Sequence, residues 1–78
     1  MESTQKILAP MPGIIIDYKK SIGDKVKEGE VVVILDAMKM YNNLYAECDG
    51  VITEIQYKVA DSVPKNAILC VITEDKRG

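Results

Sequence analysis

GIIIDYKKSIGDKVKEGEVVVILD, residues 13–36, returns 37 residues later as GVITEIQYKVADSVPKNAILCVIT, residues 50–73. Slid by 37 positions without gaps, residues 7–36 fall on residues 44–73. Ala9 meets Ala46, Gly13 meets Gly50, Ile15 meets Ile52, Asp24 meets Asp61 and Val26 meets Val63. Ile14/Val51, Asp17/Glu54, Ile22/Val59, Val32/Leu69 and Ile34/Val71 keep their character. Gly29 meets Asn66, and these are the two residue types that enter the left-handed backbone region most readily, so the same turn is implied twice. A repeat this short cannot cover its own apolar face, so the two copies are expected to pack on each other as a quasi-twofold domain.

Each copy reads as strands and turns. Residues 14–16, 31–35, 51–55 and 68–72 are rich in β-branched side chains. They are bounded by Pro12-Gly13, Gly23-Asp24, Glu28-Gly29, Asp49-Gly50, Asp61-Ser62 and Lys65-Asn66, residue pairs that favour turns. Short strands with turns at this spacing predict an all-β sandwich or barrel. Pro10, Pro12 and Pro64 fall beside strands, where a missing N–H is tolerated. Asp24 and Asp61 read as turn formers rather than as an acid–base pair, because each follows a strand at the same repeat position.

With 78 residues the chain has one small core, and a catalytic cleft walled by two layers is not expected at that size. That favours a binding or carrier module. A hydrophobic fraction of 47% and a charged fraction of 28% fit a folded soluble domain rather than disorder. Twelve acidic and ten basic residues leave a formal net charge of -2 with no basic block, which argues against a nucleic-acid partner. The longest aliphatic run, residues 31–35, is far below the roughly 20 residues of a membrane helix. The opening MESTQK lacks the basic-then-apolar order of a secretory signal, so an intracellular chain is expected. Cys48 and Cys70 lie 22 positions apart and histidine is absent, so no CxxC pair or mixed Cys/His zinc site can be built. Both read as reduced thiols, with Cys70 in the core and Cys48 beside a turn. Gly13, Gly23, Gly29 and Gly50 match no phosphate-loop spacing and read as backbone punctuation.

The two copies are joined by Ala-Met-Lys-Met-Tyr-Asn-Asn, residues 37–43, with Lys39 at its centre. Residues 31–36 and 41–46 can pair as antiparallel strands, which sets Met38 and Lys39 at a hairpin tip. Tight hairpins ordinarily want Asn-Gly or Asp-Gly there, so this sequence breaks the local rule. A helix capped by Asp36 is the rival, since Ala, Met and Lys are good helix formers. It would interrupt a repeat that is strand-like on both sides. Local rules are often broken at functional sites.

Ala37-Met38-Lys39-Met40 resembles the attachment signature of biotin carboxyl carrier domains, in which the central lysine is biotinylated. APMPG at 9–13, GDKVKEGEVV at 23–32 and DGVITEI at 49–55 are similar to the family's other recurrent segments. The likeness covers about residues 7–73, and implies a carrier domain there flanked by tails at 1–6 and 74–78. Two departures are visible. Asp36 stands where the family usually has Glu, and Ala60 stands where it usually has glycine. Residues 14–23 leave no room for the "thumb" insertion of bacterial acetyl-CoA carboxylase carriers, so the chain looks more like the carrier of an acyl-CoA carboxylase, pyruvate carboxylase or biotin-dependent decarboxylase.

The resemblance implies a flattened barrel-sandwich of two four-stranded antiparallel sheets, with biotin covalently attached to Lys39 and flanked by Ala37, Met38 and Met40. It implies a domain with no catalysis of its own, monomeric, that is acylated by a biotin protein ligase. The ring would then carry CO2 as carboxybiotin between biotin carboxylase and carboxyltransferase domains or subunits. The compartment implied is the cytoplasm, or the mitochondrial matrix for a segment of a eukaryotic carboxylase. A lysine in water is nearly all protonated at neutral pH, so the ligase must take up that proton before attack on an activated biotinyl carbonyl. Met38 and Met40 read either as recognition elements or as packing, and Tyr41 and Tyr45 as cross-strand packing or as neighbours of the biotin. Two other readings stand beside the carrier. A lipoyl domain shares the fold but usually shows Asp-Lys-Ala at the turn, and an unmodified interaction module would leave Lys39 merely solvated.

Overall fold

The computed structural model describes residues 3–75 and contains eight strands. In chain order they are β1 (Thr4–Leu8), β2 (Gly13–Tyr18), β3 (Lys25–Val26), β4 (Val31–Ala37), β5 (Met40–Tyr45), β6 (Gly50–Ile55), β7 (Ser62–Val63) and β8 (Ile68–Glu74). They form two four-stranded antiparallel sheets, β1-β8-β6-β3 and β5-β4-β2-β7. Adding four to each strand number converts the first order into the second, which is the twofold that the 37-residue repeat predicts. No helix occurs among the described residues, so the helical alternative for residues 37–43 falls. The reason is pairing: Asp36 stands across from Tyr41 in a ladder that a helix would forfeit.

The repeat is kept down to single hydrogen bonds. The Asp24 carboxylate accepts from the Ser21 N–H at 2.8 Å, and the Asp61 carboxylate accepts from the Lys58 N–H at 2.8 Å. Both aspartates are therefore turn formers. Ile15 N–H donates to Asp61 O and Ile52 N–H to Asp24 O, each at 3.0 Å, which ties each half's turn to the other half's strand. Gly29 at φ 91° and Asn66 at φ 69° make the same left-handed turn, each donating its N–H across the fold, to Ala46 and Ala9. Ala60 holds φ 78° where its counterpart is Gly23, so the turn survives the missing glycine at a cost of about 1–2 kcal/mol. The β2–β4 ladder slips between Ile15 and Asp17, and the β6–β8 ladder slips between Ile52 and Glu54, the same place in each copy.

The core is filled by mated residues from both copies. Ile15/Ile52, Val32/Leu69, Val33/Cys70 and Leu35/Ile72 are all fully buried, and Ala9/Ala46 and Val26/Val63 close the ends. Each large aliphatic side chain removed from water contributes roughly 1.5–3 kcal/mol. No charged or polar residue is buried among the described residues. Burial pushes the Cys70 thiol from its usual 9.0 up to about 11. Cys48 is half-buried, and its thiol is raised by partial burial and then by the carboxylates of Glu74, Asp49, Glu47 and Glu28.

Two boundaries differ from the sequence reading. Thr4, Gln5 and Lys6, assigned to a tail, form the start of β1, because β8 offers them an open edge: Thr4 pairs Thr73 and Gln5 pairs Ile72. Glu74 likewise belongs to β8, and its N–H donates to Ser3 O at 2.8 Å. The rest of the expected tails, residues 1–2 and 76–78, lies outside the described residues.

Candidate functional site

β4 ends at Ala37, β5 starts at Met40, and these two residues pair, so the connection is the two-residue turn Met38-Lys39. Met38 has φ 54° and Lys39 φ 64°. Positive φ at both central positions is the signature of a type I′ turn, the one whose twist matches a right-handed hairpin. The side chains are the wrong ones for it. A left-handed non-glycine residue costs about 1–2 kcal/mol, and here two stand in succession. The long lysine side chain stands exposed at the apex with no hydrogen-bond or ion-pair partner among the described residues.

The base of the turn is fixed where the apex is free. Ala37 is buried. Behind it runs Gly13, where a Cβ would meet Asp36 O at 2.5 Å and the Ala37 methyl at 3.2 Å, so only glycine lets β2 come this close to the end of β4. Gly50 takes the same role against Thr73, the repeat mate of Asp36. Asn42 braces the turn from the other strand, its side-chain amide donating to Met40 O at 3.2 Å and Leu35 O at 3.5 Å. Sequence reasoning missed Asn42; its only signal is a short polar side chain three positions past the turn.

The four expected site residues thus come together as one element, with Ala37 as the anchor and Met38, Lys39 and Met40 outside. Met38 is 81% and Met40 68% exposed, so neither packs into the hairpin. Tyr41 and Tyr45 are exposed as well, at 69% and 50%, and lie across from Asp36 and Val31 on β4. Their direction follows from the pleat: Asn42 and Leu44 take the inner side of that strand.

Replacing Met38-Lys39 by Asn-Gly is expected to relieve the turn and raise stability by about 1–2 kcal/mol. For a domain of this size that corresponds to a gain in Tm of roughly 5–10 °C, read by thermal unfolding. An unchanged or lower Tm would mean that the turn stores no strain.

The arrangement offers an exposed primary amine on a two-stranded stalk, with no group of metal-ligating side chains among the described residues. It fits an acyl group delivered from outside. The amine is accessible, and the buried residue behind it resists collapse of the turn. No helix among the described residues is long and apolar enough to cross a membrane, which says nothing of β-barrels.

The family model for biotin-requiring enzymes matches residues 5–72. The chain is 32% identical over 68 residues to the propionyl-CoA carboxylase alpha chain of Ruegeria pomeroyi, a stretch covering 87% of this chain and 10% of that protein. It is 46% identical over 50 residues to the methylmalonyl-CoA decarboxylase gamma subunit of Veillonella parvula, covering 64% of this chain and 39% of that one. Among solved structures it is similar to the lipoyl domain of the 2-oxoglutarate dehydrogenase complex from Azotobacter vinelandii. That likeness has a TM-score of 0.75 and 32% identity over 83% of this chain and 82% of that one.

Proposed function

The chain belongs to the biotin-requiring enzyme family, and from that premise we propose that strands β1 to β8 form a biotin carboxyl carrier domain with Lys39 as its attachment residue. The observation that carries the proposal is the solvated, unpaired Lys39 amine at the apex of a strained turn whose base is locked.

In this reading the chain is a substrate for its modifying enzyme and has no catalysis of its own. A biotin protein ligase takes the proton from the Lys39 amine. The nitrogen then attacks an activated biotinyl carbonyl, loses a second proton as the activating group departs, and an amide forms. The amide abolishes the lysine charge. When attached, the cofactor supplies a ring nitrogen that takes up and gives up CO2, chemistry that is its own. The domain's share is placement. Ala37, Gly13 and Asn42 hold the stalk, while the turn projects the arm into the active sites of a biotin carboxylase and a carboxyltransferase. Tethering then replaces diffusion by a high effective concentration. The chain spans a tenth of the propionyl-CoA carboxylase chain it matches. An acyl-CoA carboxylase or decarboxylase is accordingly the parent activity we propose, with the partner sites on other domains or subunits.

Co-expression with a biotin ligase is expected to give an avidin-reactive product heavier by one biotinyl group in intact mass. A mass gain matching lipoate instead would move the assignment to the lipoyl class, to which the fold is equally suited. No gain with either ligase would leave an unmodified interaction module.

A further inference from the structure

The internal twofold makes the molecule its own control. Any surface that differs between mated positions has been changed against a shared scaffold. Along the outer face of the sheet β5-β4-β2-β7, the ladder registers align Tyr41, Asp36, Ile14 and Ser62 in one row beneath the turn. The mated row on the other sheet is Thr4, Thr73, Val51 and Lys25. In that row the Thr73 hydroxyl is satisfied by Thr53 Oγ1 at 3.1 Å. The mate of Thr53 is Ile16, so Asp36 has an aliphatic neighbour where Thr73 has a hydroxyl.

Asp36 is half-buried, and its side chain has no hydrogen-bond or ion-pair partner among the described residues. Its ladder partners Ile14 and Tyr41 and its neighbour two positions back, Ile34, share that face, and Ile16 takes the place that its mate Thr53 holds beside Thr73, with Ile14 46% exposed. A half-buried carboxylate beside aliphatic side chains, with no donor from the protein, keeps its acceptor capacity for a ligand, and a donor with apolar surface can displace water from both. The complement is a small apolar body carrying N–H groups. The biotin bicycle has that chemistry, two ureido N–H donors on a hydrocarbon and thioether frame. It would also be tethered three residues away. Three residues of chain limit the separation of Lys39 and Asp36 to about 11 Å, and the lysyl-valeryl arm is longer. At the effective concentrations of a short tether, even a weak contact is populated.

We propose that this face is a resting site for the tethered ring, with the Asp36 carboxylate accepting from the ureido N–H groups and Ile14, Ile16 and Tyr41 covering the bicycle. The inference rests on the attachment reading above. A ring so held keeps its apolar surface out of water between visits to the partner sites, and leaves readily because the contact is weak.

The test compares isotope-labelled unmodified and biotinylated protein by NMR, with intact mass verifying the single biotinyl group in each sample. Biotinylation is expected to shift the Ile14 and Ile16 methyl resonances and the Tyr41 ring resonances, and to give cross-relaxation between the bicycle and Tyr41. Tyr41→Thr and Asp36→Thr copy the mated row. Each is expected to return the Ile14 and Ile16 methyl shifts toward their unmodified values while the mass still reports a biotinyl group. If Asp36→Thr resists labelling, Tyr41→Thr alone decides. Shifts confined to residues 38–40 in a fully labelled sample overturn the resting site and leave the carrier reading intact. Shifts of this face that arise only when ligase is added to unmodified protein also overturn it, in favour of protein docking. Failure of labelling at any site refutes the carrier reading itself, and the mass makes that outcome distinct.

Discussion

Lys39→Arg is expected to remove biotin incorporation entirely, with no residual label on the eight other lysines. Arginine keeps the length and charge of the side chain and holds the turn as lysine does, so the fold is expected to be unaltered. What it lacks is a deprotonatable nitrogen: a guanidinium stays protonated throughout the accessible pH range and cannot attack a carbonyl. Moving the amine tests position separately from chemistry. In the Lys39→Arg background, Met40→Lys restores a primary amine one residue on, but inside β5 and paired with Ala37. It is expected to label poorly, because the apex geometry belongs to residues 38 and 39 alone. Avidin blotting and intact mass read both variants. Full labelling of the Lys39→Arg protein would refute the attachment assignment. Full labelling of the Met40→Lys variant would mean that ligase access, and not the turn, sets the site.

The repeat was legible because aliphatic side chains, turn aspartates and left-handed positions recur at one spacing, and each answers to a local physical rule. Gly29 and Asn66 announced their turns through backbone sterics alone. Short β3 and β7 were not legible, since two residues each carry no periodicity, and they are strands only because β6 and β2 lie beside them. β1 was missed whole for a similar reason: Thr-Gln-Lys is strand-like only against β8. At the site, the sequence located Lys39 but left hairpin and helix open, since Met and Lys favour neither a left-handed backbone nor a primed turn. Long-range pairing of β4 with β5 decides it. The row around Asp36 could not be read without register, because Ile14 and Tyr41 are 27 positions apart in the chain.

Ile15→Ala and Ile52→Ala are each expected to cost about 2–5 kcal/mol, and to cost nearly the same. Both side chains are 1% exposed and sit at mated positions, each next to the residue where its ladder slips. Truncation removes three methyl or methylene carbons from a close-packed interior, and the neighbours cannot fill the space because both sheets are pinned by the reciprocal Ile15–Asp61 and Ile52–Asp24 hydrogen bonds. A chain of this length has roughly 4–12 kcal/mol of stability in all, so one substitution removes a third or more, and the pair is expected to leave the chain unfolded. Ile22→Ala, at a position 61% exposed, is the control and is expected to stay within about 0.5 kcal/mol. Urea unfolding gives all four values. A difference above about 2 kcal/mol between the two single variants would mean that the halves do not share one core on equal terms, and the use of one half as reference for the other would lose its basis.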